Sequence, residues 1–394
     1  MDKKAVINDL TCLNNESIVL VEPTDKELMS PSLLRGNTLE PYAIESIGAY
    51  LLQHGLNNIH IVQQYSSTDE ELVQEIIKIN PLIVGFSVLS CNYLRAITIA
   101  SKIKKHLPMV YIVFGGYHPA LNIQETLQNE FVDFVVFGEG EITFYELSTS
   151  IIYKIIDYCQ IAGLAYKEGS TIVINKPRNR IDNLDNLPFA IRNKEFLNRS
   201  RNWNLSYPSP LKQTAVAQIN YSRGCPFQCS FCASPTLWSK TTDSNMSGAI
   251  TYRSVNNVID EIKDLKKRFG VNFIYFNDLT MNASDRHLRE LCDAIISSGL
   301  HNPNFDTDEE GDCKNNIHWF CLAKIGLSAN MAELMAKAGC SKIGFGIESF
   351  YKTGYSEMQK PFKNFTDIKE TLEHTDDVGI INRVYMTLLI NPYN

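Results

Sequence analysis

Several things are scarce in this chain, and each scarcity excludes something. No apolar stretch in its 394 residues reaches the roughly 20 that a membrane-spanning helix needs. Runs such as Leu82–Leu89 and Val110–Phe114 have the length of strands. Positive charge is short as well: 37 Lys and Arg face 44 Asp and Glu, for a net charge of −7. That balance gives no basic footprint for nucleic acid. The N-terminus is polar and lacks an apolar signal core followed by a small-residue cleavage site, so a cytoplasmic location is expected. No short repeat or low-complexity tract interrupts the chain. Cysteine is limited to ten residues, and a cytosolic chain does not use them as a disulfide framework. Seven are scattered (Cys12, Cys91, Cys159, Cys292, Cys313, Cys321 and Cys340), while three are bunched.

What is present is a rhythm of strand and helix. Short β-rich runs at Ser17–Val21, Ile59–Val62, Leu82–Leu89, Val110–Phe114 and Phe134–Phe137 alternate with helical stretches at Tyr42–His54, Glu70–Ile79, Tyr93–His106 and Gln124–Asn129. The almost wholly apolar Leu82–Leu89 suits a central parallel strand covered on both faces. The pattern predicts an α/β fold that opens with a five-stranded, doubly wound domain over residues 15–150. Residues 151–212 break the rhythm and read as a linker laid over the surface, with a small hairpin at Gly163–Ile174. A second β/α series fills 213–394. Its strands are expected at Val216–Tyr221, Phe273–Phe276, Ile317–Cys321, Lys342–Ile347 and Val384–Leu389, and its helices at about 255–269, 284–298, 328–338 and 366–378. Repeated units of this kind suit a partial or complete parallel barrel.

The bunched cysteines, Cys225, Cys229 and Cys232, form Cys-x3-Cys-x2-Cys directly after the first strand of that second series. Thiolates are the usual ligands of iron–sulfur clusters. Three of them can hold three corners of a cubane and leave the fourth iron open, as a reactive site requires. A structural zinc site is the rival reading. It would want a fourth Cys or His at paired spacing, and the next histidine, His287, lies far down the chain.

Set after a barrel's first strand, this motif resembles the signature of the radical S-adenosylmethionine superfamily, over most of residues 210–390. The resemblance implies a 4Fe-4S cluster on Cys225, Cys229 and Cys232, with S-adenosylmethionine chelated to the open iron and cleaved to a 5′-deoxyadenosyl radical. Phe231 matches an aromatic that packs near the adenine. Asn277 and Asp278 match a polar strand end that helps hold the methionine part. Glu348 and Ser349 match a strand motif whose polar side chains reach the ribose or carboxylate. Lys360 also fits a family pattern, without an assigned role.

In the first domain, three glycine-bearing strand ends fall on one sheet edge, around Ser87, Gly115–Gly116 and Gly138. Small residues there let a large flat molecule approach the backbone. The order of this domain, a Leu-Asp-x-Leu-Pro linker at Leu184–Pro188 and the cysteine motif resembles cobalamin-binding radical S-adenosylmethionine proteins. That resemblance implies a Rossmann-like cobalamin-binding domain, with Ser87, Gly115, Gly116 and Gly138 near the cofactor's nucleotide tail, and a C-terminal partial (β/α)6 barrel. The first loop, Glu22–Glu40, contains no histidine, which points to cobalamin without a protein lower axial ligand. His118 reads as hydrogen-bonded structure.

The implied activity is methyl transfer to an unactivated carbon or phosphorus centre of a small-molecule or peptide natural product, driven by a reductant such as flavodoxin or ferredoxin. The alternatives are a cobalamin-dependent radical cyclase or rearrangement enzyme, or a truncated, non-catalytic cofactor-binding remnant. The last arises because a fifth strand ending near Asn391-Pro392 is expected to leave a sixth strand missing and a sheet edge unpaired. A methylthiotransferase is disfavoured, since Cys12, Cys91 and Cys159 do not fall in that family's motifs.

Overall fold

The computed structural model describes residues 16–23, 39–63, 68–200, 215–241, 249–302, 316–350, 354, 356, 358–361 and 363–387. Cys12, Cys313 and the Asn391-Pro392 turn lie outside these residues.

The first sheet contains β1 (Ile18–Glu22), β2 (Ile59–Gln63), β3 (Ile83–Ser87), β4 (Tyr111–Gly115), β5 (Phe134–Val136), β6 (Leu164–Glu168) and β7 (Thr171–Ile174). Their order is β2-β1-β3-β4-β5-β6-β7. The first five are parallel, as the alternation with helices requires. Strand β3 sits centrally and is buried along its apolar run. The sheet is therefore larger than the five strands expected. The hairpin read as part of a surface linker adds β6 and β7 antiparallel to β5. Its reason is burial: Leu164 and Ala165 would be left exposed on a free hairpin, whereas here both are fully buried.

Helices on both faces complete two apolar cores, one around Val84, Ile112, Phe114 and Ile99, the other around Leu20, Ile44, Leu51 and Phe144. A capping box at Thr68 and Glu71 starts the helix Asp69–Ile79.

The second sheet is built from β8 (Val216–Ile219), β11 (Phe273–Phe276), β12 (His318–Ala323), β13 (Cys340–Glu348) and β14 (Ile381–Met386), all parallel in that spatial order. A short ladder of β9 (Ser222–Arg223) with β10 (Thr251–Tyr252) follows β8. The four intervening helices, Val255–Phe269, Asp285–Ser297, Ala329–Lys337 and Phe365–Asp376, each begin on a side-chain cap from Ser254, Ser284, Ser328 or Asn364. They bury one apolar stripe against the sheet, in a core centred on Ile262, Leu291, Trp319 and Phe345. Among the described residues, β8 and β14 each have a single strand neighbour in this sheet. No helix among them is long and apolar enough to cross a membrane.

The stretch expected to lie over the surface is instead wedged between the two sheets. Arg180, Leu184 and Ala190 are buried, and the Arg192 side chain is 2% exposed. Two arginines draw it inward. Arg192 pairs with Glu40 of the first domain and, at 2.8 Å, with Glu261 of the second. It also donates to the Gln218 carbonyl at 2.8 Å. Arg253 reaches the other oxygen of Glu261 at 2.6 Å. Burial pushes the Glu40 carboxyl up from its ordinary range, while Arg192 pulls it back. Glu45 is pushed up further by burial and by the neighbouring Glu40, and its two oxygens accept no hydrogen bond.

Candidate cofactor sites at the domain junction

The cysteine loop begins at Arg223, where β9 ends. Gly224 has φ +105° and lies against the Ala249 carbonyl and the Arg180 guanidinium, so a side chain there would strike both. Arg180 also donates to the Arg223 carbonyl at 2.6 Å, holding the backbone just ahead of Cys225. Beyond it the amide of Cys232 bonds the Cys229 carbonyl at 3.1 Å, and the amide of Ser230 bonds the Met358 carbonyl at 2.9 Å. The second bond ties the loop to the segment after β13. All three thiols are partly exposed. Burial pushes the Cys225 and Cys229 thiols up, and the Lys360 ammonium pulls both back.

Among the described residues no three His, Cys, Asp or Glu side chains converge on a single metal ion. A mononuclear zinc site needs that convergence, with sulfurs about 2.3 Å from the metal. A cubane instead gives each thiolate its own iron. The donor set, three thiolates on one exposed loop with an open space beside them, fits such a cluster.

That space is a cavity of about 650 Å³ at the C-terminal ends of the second sheet. Cys225, Cys229, Cys232 and Phe231 line it, together with Glu348, Lys360, Lys324 and Lys363. Phe227, Tyr275, Leu322 and Tyr385 supply apolar wall. Glu348 holds a left-handed backbone (φ 66°) where the β13–β14 register shifts. Its carboxylate accepts from the Thr387 hydroxyl at 2.5 Å and pairs with Lys360 at 3.3 Å. Lys360 also donates to the Gly346 carbonyl at 2.7 Å.

The remaining barrel positions expected to touch a ligand are placed elsewhere. Asp278 does not line the cavity. It is buried beneath the cysteine loop, where its carboxylate accepts the amides of Tyr221 (2.9 Å) and Ser222 (2.5 Å) and the Ser222 hydroxyl. Burial pushes its pKa up to about 6 against those hydrogen bonds. Its oxygens are occupied, so Asp278 acts as a brace. Asn277 gives its amide to the Ile219 carbonyl at 2.9 Å and is likewise absent from the lining. The residues that do line the cavity at this strand end are Leu279 and Thr280. Ser349 stands behind Glu348, outside the lining.

A second cavity, of about 310 Å³, opens at the C-terminal edge of the first sheet. Ser87, Gly115, Gly116 and Gly138 all line it, together with Leu20, Val113 and Phe144 deeper between sheet and helices. Gly116 has φ +97°, and a Cβ there would sit 2.7 Å from the Val88 carbonyl oxygen. Only glycine therefore fits beside the Val88 backbone at this point of the lining. His118 is outside the lining; its Nδ1 lies 3.0 Å from the Ser90 hydroxyl and its ring packs on Tyr93.

The two cavities share a wall. Tyr117, next after Gly116, lines the first-sheet cavity, and its hydroxyl lies 3.4 Å from that of Ser234, which lines the cysteine cavity. Leu237, one turn further along the helix Ala233–Thr241 that follows Cys232, lines the first-sheet cavity and joins the first domain's core. Arg223 adds an ionic tie to Glu139 (2.9 Å) and Glu141 (2.6 Å), on either side of Gly140 at the edge of that cavity. Sequence reasoning missed Tyr117, Arg223 and Lys324, because single residues of common type carry no motif.

A doubly wound domain whose glycine-lined edge abuts a parallel barrel with a three-thiolate loop defines a two-cofactor protein. Residues 34–148 match the family described as B12 binding domain, and residues 219–394 match the Radical SAM superfamily. The chain belongs to the radical S-adenosylmethionine proteins that carry a cobalamin-binding domain, whose cofactors are cobalamin, a 4Fe-4S cluster and S-adenosylmethionine. It is 28% identical to an uncharacterized methyltransferase of Pyrococcus horikoshii, over 72% of this chain and 55% of that protein. It is 24% identical to an anaerobic magnesium-protoporphyrin IX monomethyl ester cyclase of Synechocystis, over 84% of this chain and 60% of the cyclase. Among solved structures, the methyltransferase TsrM of Kitasatospora setae, with tryptophan and a S-adenosylmethionine analogue bound, superposes with a TM-score of 0.71 at 17% identity. That match covers 94% of this chain and 67% of TsrM. The chain thus spans little more than half the length of the curated relatives it matches.

Proposed function

We propose that this chain is a cobalamin-dependent radical S-adenosylmethionine methyltransferase acting on an unactivated carbon or phosphorus centre. The observation that carries the reading is the shared wall of Tyr117, Ser234 and Leu237, which sets a corrinoid-type cavity directly against the three-thiolate cavity.

In this reading Cys225, Cys229 and Cys232 hold the cluster. Phe231 packs against the adenine, and Glu348 with Lys360 orders the polar part of S-adenosylmethionine. Ser87, Gly115, Gly116 and Gly138 admit the nucleotide side of cobalamin to the first sheet's edge. When bound, these groups supply a 5′-deoxyadenosyl radical and a transferable methyl group. The chain's own part is placement and exclusion of water. The apolar wall of Phe227, Leu279, Leu322 and Ile325 keeps hydrogen donors away from a radical. The Arg223 clasp and the Arg192 network fix the distance between the two cavities. The substrate is a small molecule or peptide natural product, and a low-potential protein such as flavodoxin or ferredoxin delivers the electron.

Anaerobic reconstitution with iron, sulfide and hydroxocobalamin tests this. Addition of S-adenosylmethionine and reductant is expected to yield 5′-deoxyadenosine, and turnover also to yield S-adenosylhomocysteine. Absence of 5′-deoxyadenosine from cluster-loaded protein overturns the reading. The resemblance to ester cyclases supports a second one. A product that gains no methyl mass, formed without S-adenosylhomocysteine, would favour it.

A further inference from the structure

We infer that the substrate of the cysteine-lined cavity carries an oxyanion, a carboxylate or a phosphoryl group, on a flat apolar body, and that Lys324 and Lys363 receive that anion. This rests on the cavity being the reaction chamber proposed above.

The argument begins with an imbalance of charge. Among the described residues, the cavity lining contains three lysines, Lys324, Lys360 and Lys363, and one carboxylate, Glu348. Lys360 is already engaged: it pairs with Glu348 at 3.3 Å and is the cation that both Cys225 and Cys229 feel. Among the described residues neither Lys324 nor Lys363 forms an ion pair. The cofactors do not balance them either. A dipositive cubane core on three thiolates is a monoanion, and S-adenosylmethionine chelated through its carboxylate and neutral amine adds no net charge, so together they offset one of the two lysines. One ammonium charge is left over, and a cation in a partly dry space is costly unless an anion pairs with it.

Position supports the same assignment. Lys324 directly follows β12 and points its Nζ over the Phe227 ring, 5.0 Å from the centroid. The Lys363 Nζ stands 3.4 Å from where a side chain on Gly326 would begin, so both lysines gather at the loop that leaves β12. The backbone beneath Lys324 is pinned from both sides by Asn282, which accepts its amide and donates to its carbonyl, each at 2.9 Å. The Phe227 ring lies at this corner, and Tyr275 and Tyr385 add aromatic lining to the same cavity. Aromatic faces accept flat apolar bodies, and lysine supplies a point charge suited to a carboxylate or phosphoryl oxygen.

The experiment uses the anaerobically reconstituted protein, with phenylphosphonate and benzoate as anionic probes and benzyl alcohol as the neutral one. Binding is followed by ligand-detected NMR, and S-adenosylmethionine binding by equilibrium dialysis. Wild type is expected to bind at least one anion about tenfold more tightly than benzyl alcohol, and the stronger anion names the group. The double variant Lys324→Met, Lys363→Met is expected to lose about tenfold in anion binding and less than threefold in S-adenosylmethionine binding. Lys360→Met should show the reverse. No preference for anions over benzyl alcohol in wild type overturns the inference and leaves the proposed function standing. The same holds if the double variant loses S-adenosylmethionine and anion equally, because the lysines then serve the cofactor. Cluster-loaded wild type that fails to bind S-adenosylmethionine at all would instead contradict the proposed function.

Discussion

Cys229→Ala is expected to strip the protein of cluster iron and to lower S-adenosylmethionine cleavage by more than about 1000-fold, because no protein group can replace a cofactor's chemistry. Each thiolate serves its own iron, so two cysteines leave two corners of the cubane unheld. The fold should be untouched. Cys229 is partly exposed on a loop whose path is set by Gly224, the Arg180 bonds and the Ser230–Met358 hydrogen bond. Apoprotein stability is therefore expected to change by no more than about 0.5 kcal/mol. Cys340→Ala is the contrasting variant. Cys340 is buried in the barrel core beside Cys321 and Cys292, and burial pushes its thiol well up. It should cost about 1 kcal/mol of stability and leave the iron in place. Iron and sulfide content, 5′-deoxyadenosine yield and denaturant melts separate the two. Iron retained in Cys229→Ala would refute the assignment of that ligand.

Arg192→Met is expected to cost about 3–5 kcal/mol, the usual penalty for leaving buried carboxylates without their cation. Among the described residues, Arg192 alone contacts Glu40, Glu261 and the Gln218 carbonyl together, so three elements lose a common partner at once. Lysine cannot substitute, since one ammonium does not span the fork that a guanidinium does. The sign of the pH effect follows from burial. With the arginine gone, the buried Glu40 carboxyl titrates still higher in the folded protein than in the unfolded chain. A group raised in this way favours folding below its unfolded pKa, and that contribution is lost as pH rises through the folded value. The variant's deficit should thus be smaller at pH 5 than at pH 8. Denaturant midpoints of wild type and variant at the two pH values provide the measurement. An equal deficit at both would mean that the carboxylates are not what suffers.

Much of the fold could be read from the sequence because its signals are local. Helix Val255–Phe269 is bounded by Ser254 and Gly270, strand Phe273–Phe276 follows at once, and Tyr93–His106 carries its apolar stripe on one face. The added strands β6 and β7 were legible only as a hairpin, since nothing nearby reveals that β5 offers a free edge. The linker misled for a similar reason. Arginines and asparagines look like solvent-exposed chain until the carboxylates they meet are known, and Glu40 and Glu261 lie far from Arg192 in sequence. At the site, the cysteine triplet is a spacing and shows itself. Asp278 illustrates the opposite case: an acid at a strand end has the right address for a ligand contact, yet its two oxygens are taken by the loop above it.

Low-temperature electron spin resonance of the anaerobic, reduced protein loaded with hydroxocobalamin tests most directly whether one chain holds an open-iron cluster beside a corrinoid. A cubane signal that changes shape when S-adenosylmethionine is added, in a sample that also holds stoichiometric corrinoid, is the expected result. Zinc at the cysteines, or a cluster signal indifferent to S-adenosylmethionine, would contradict the account.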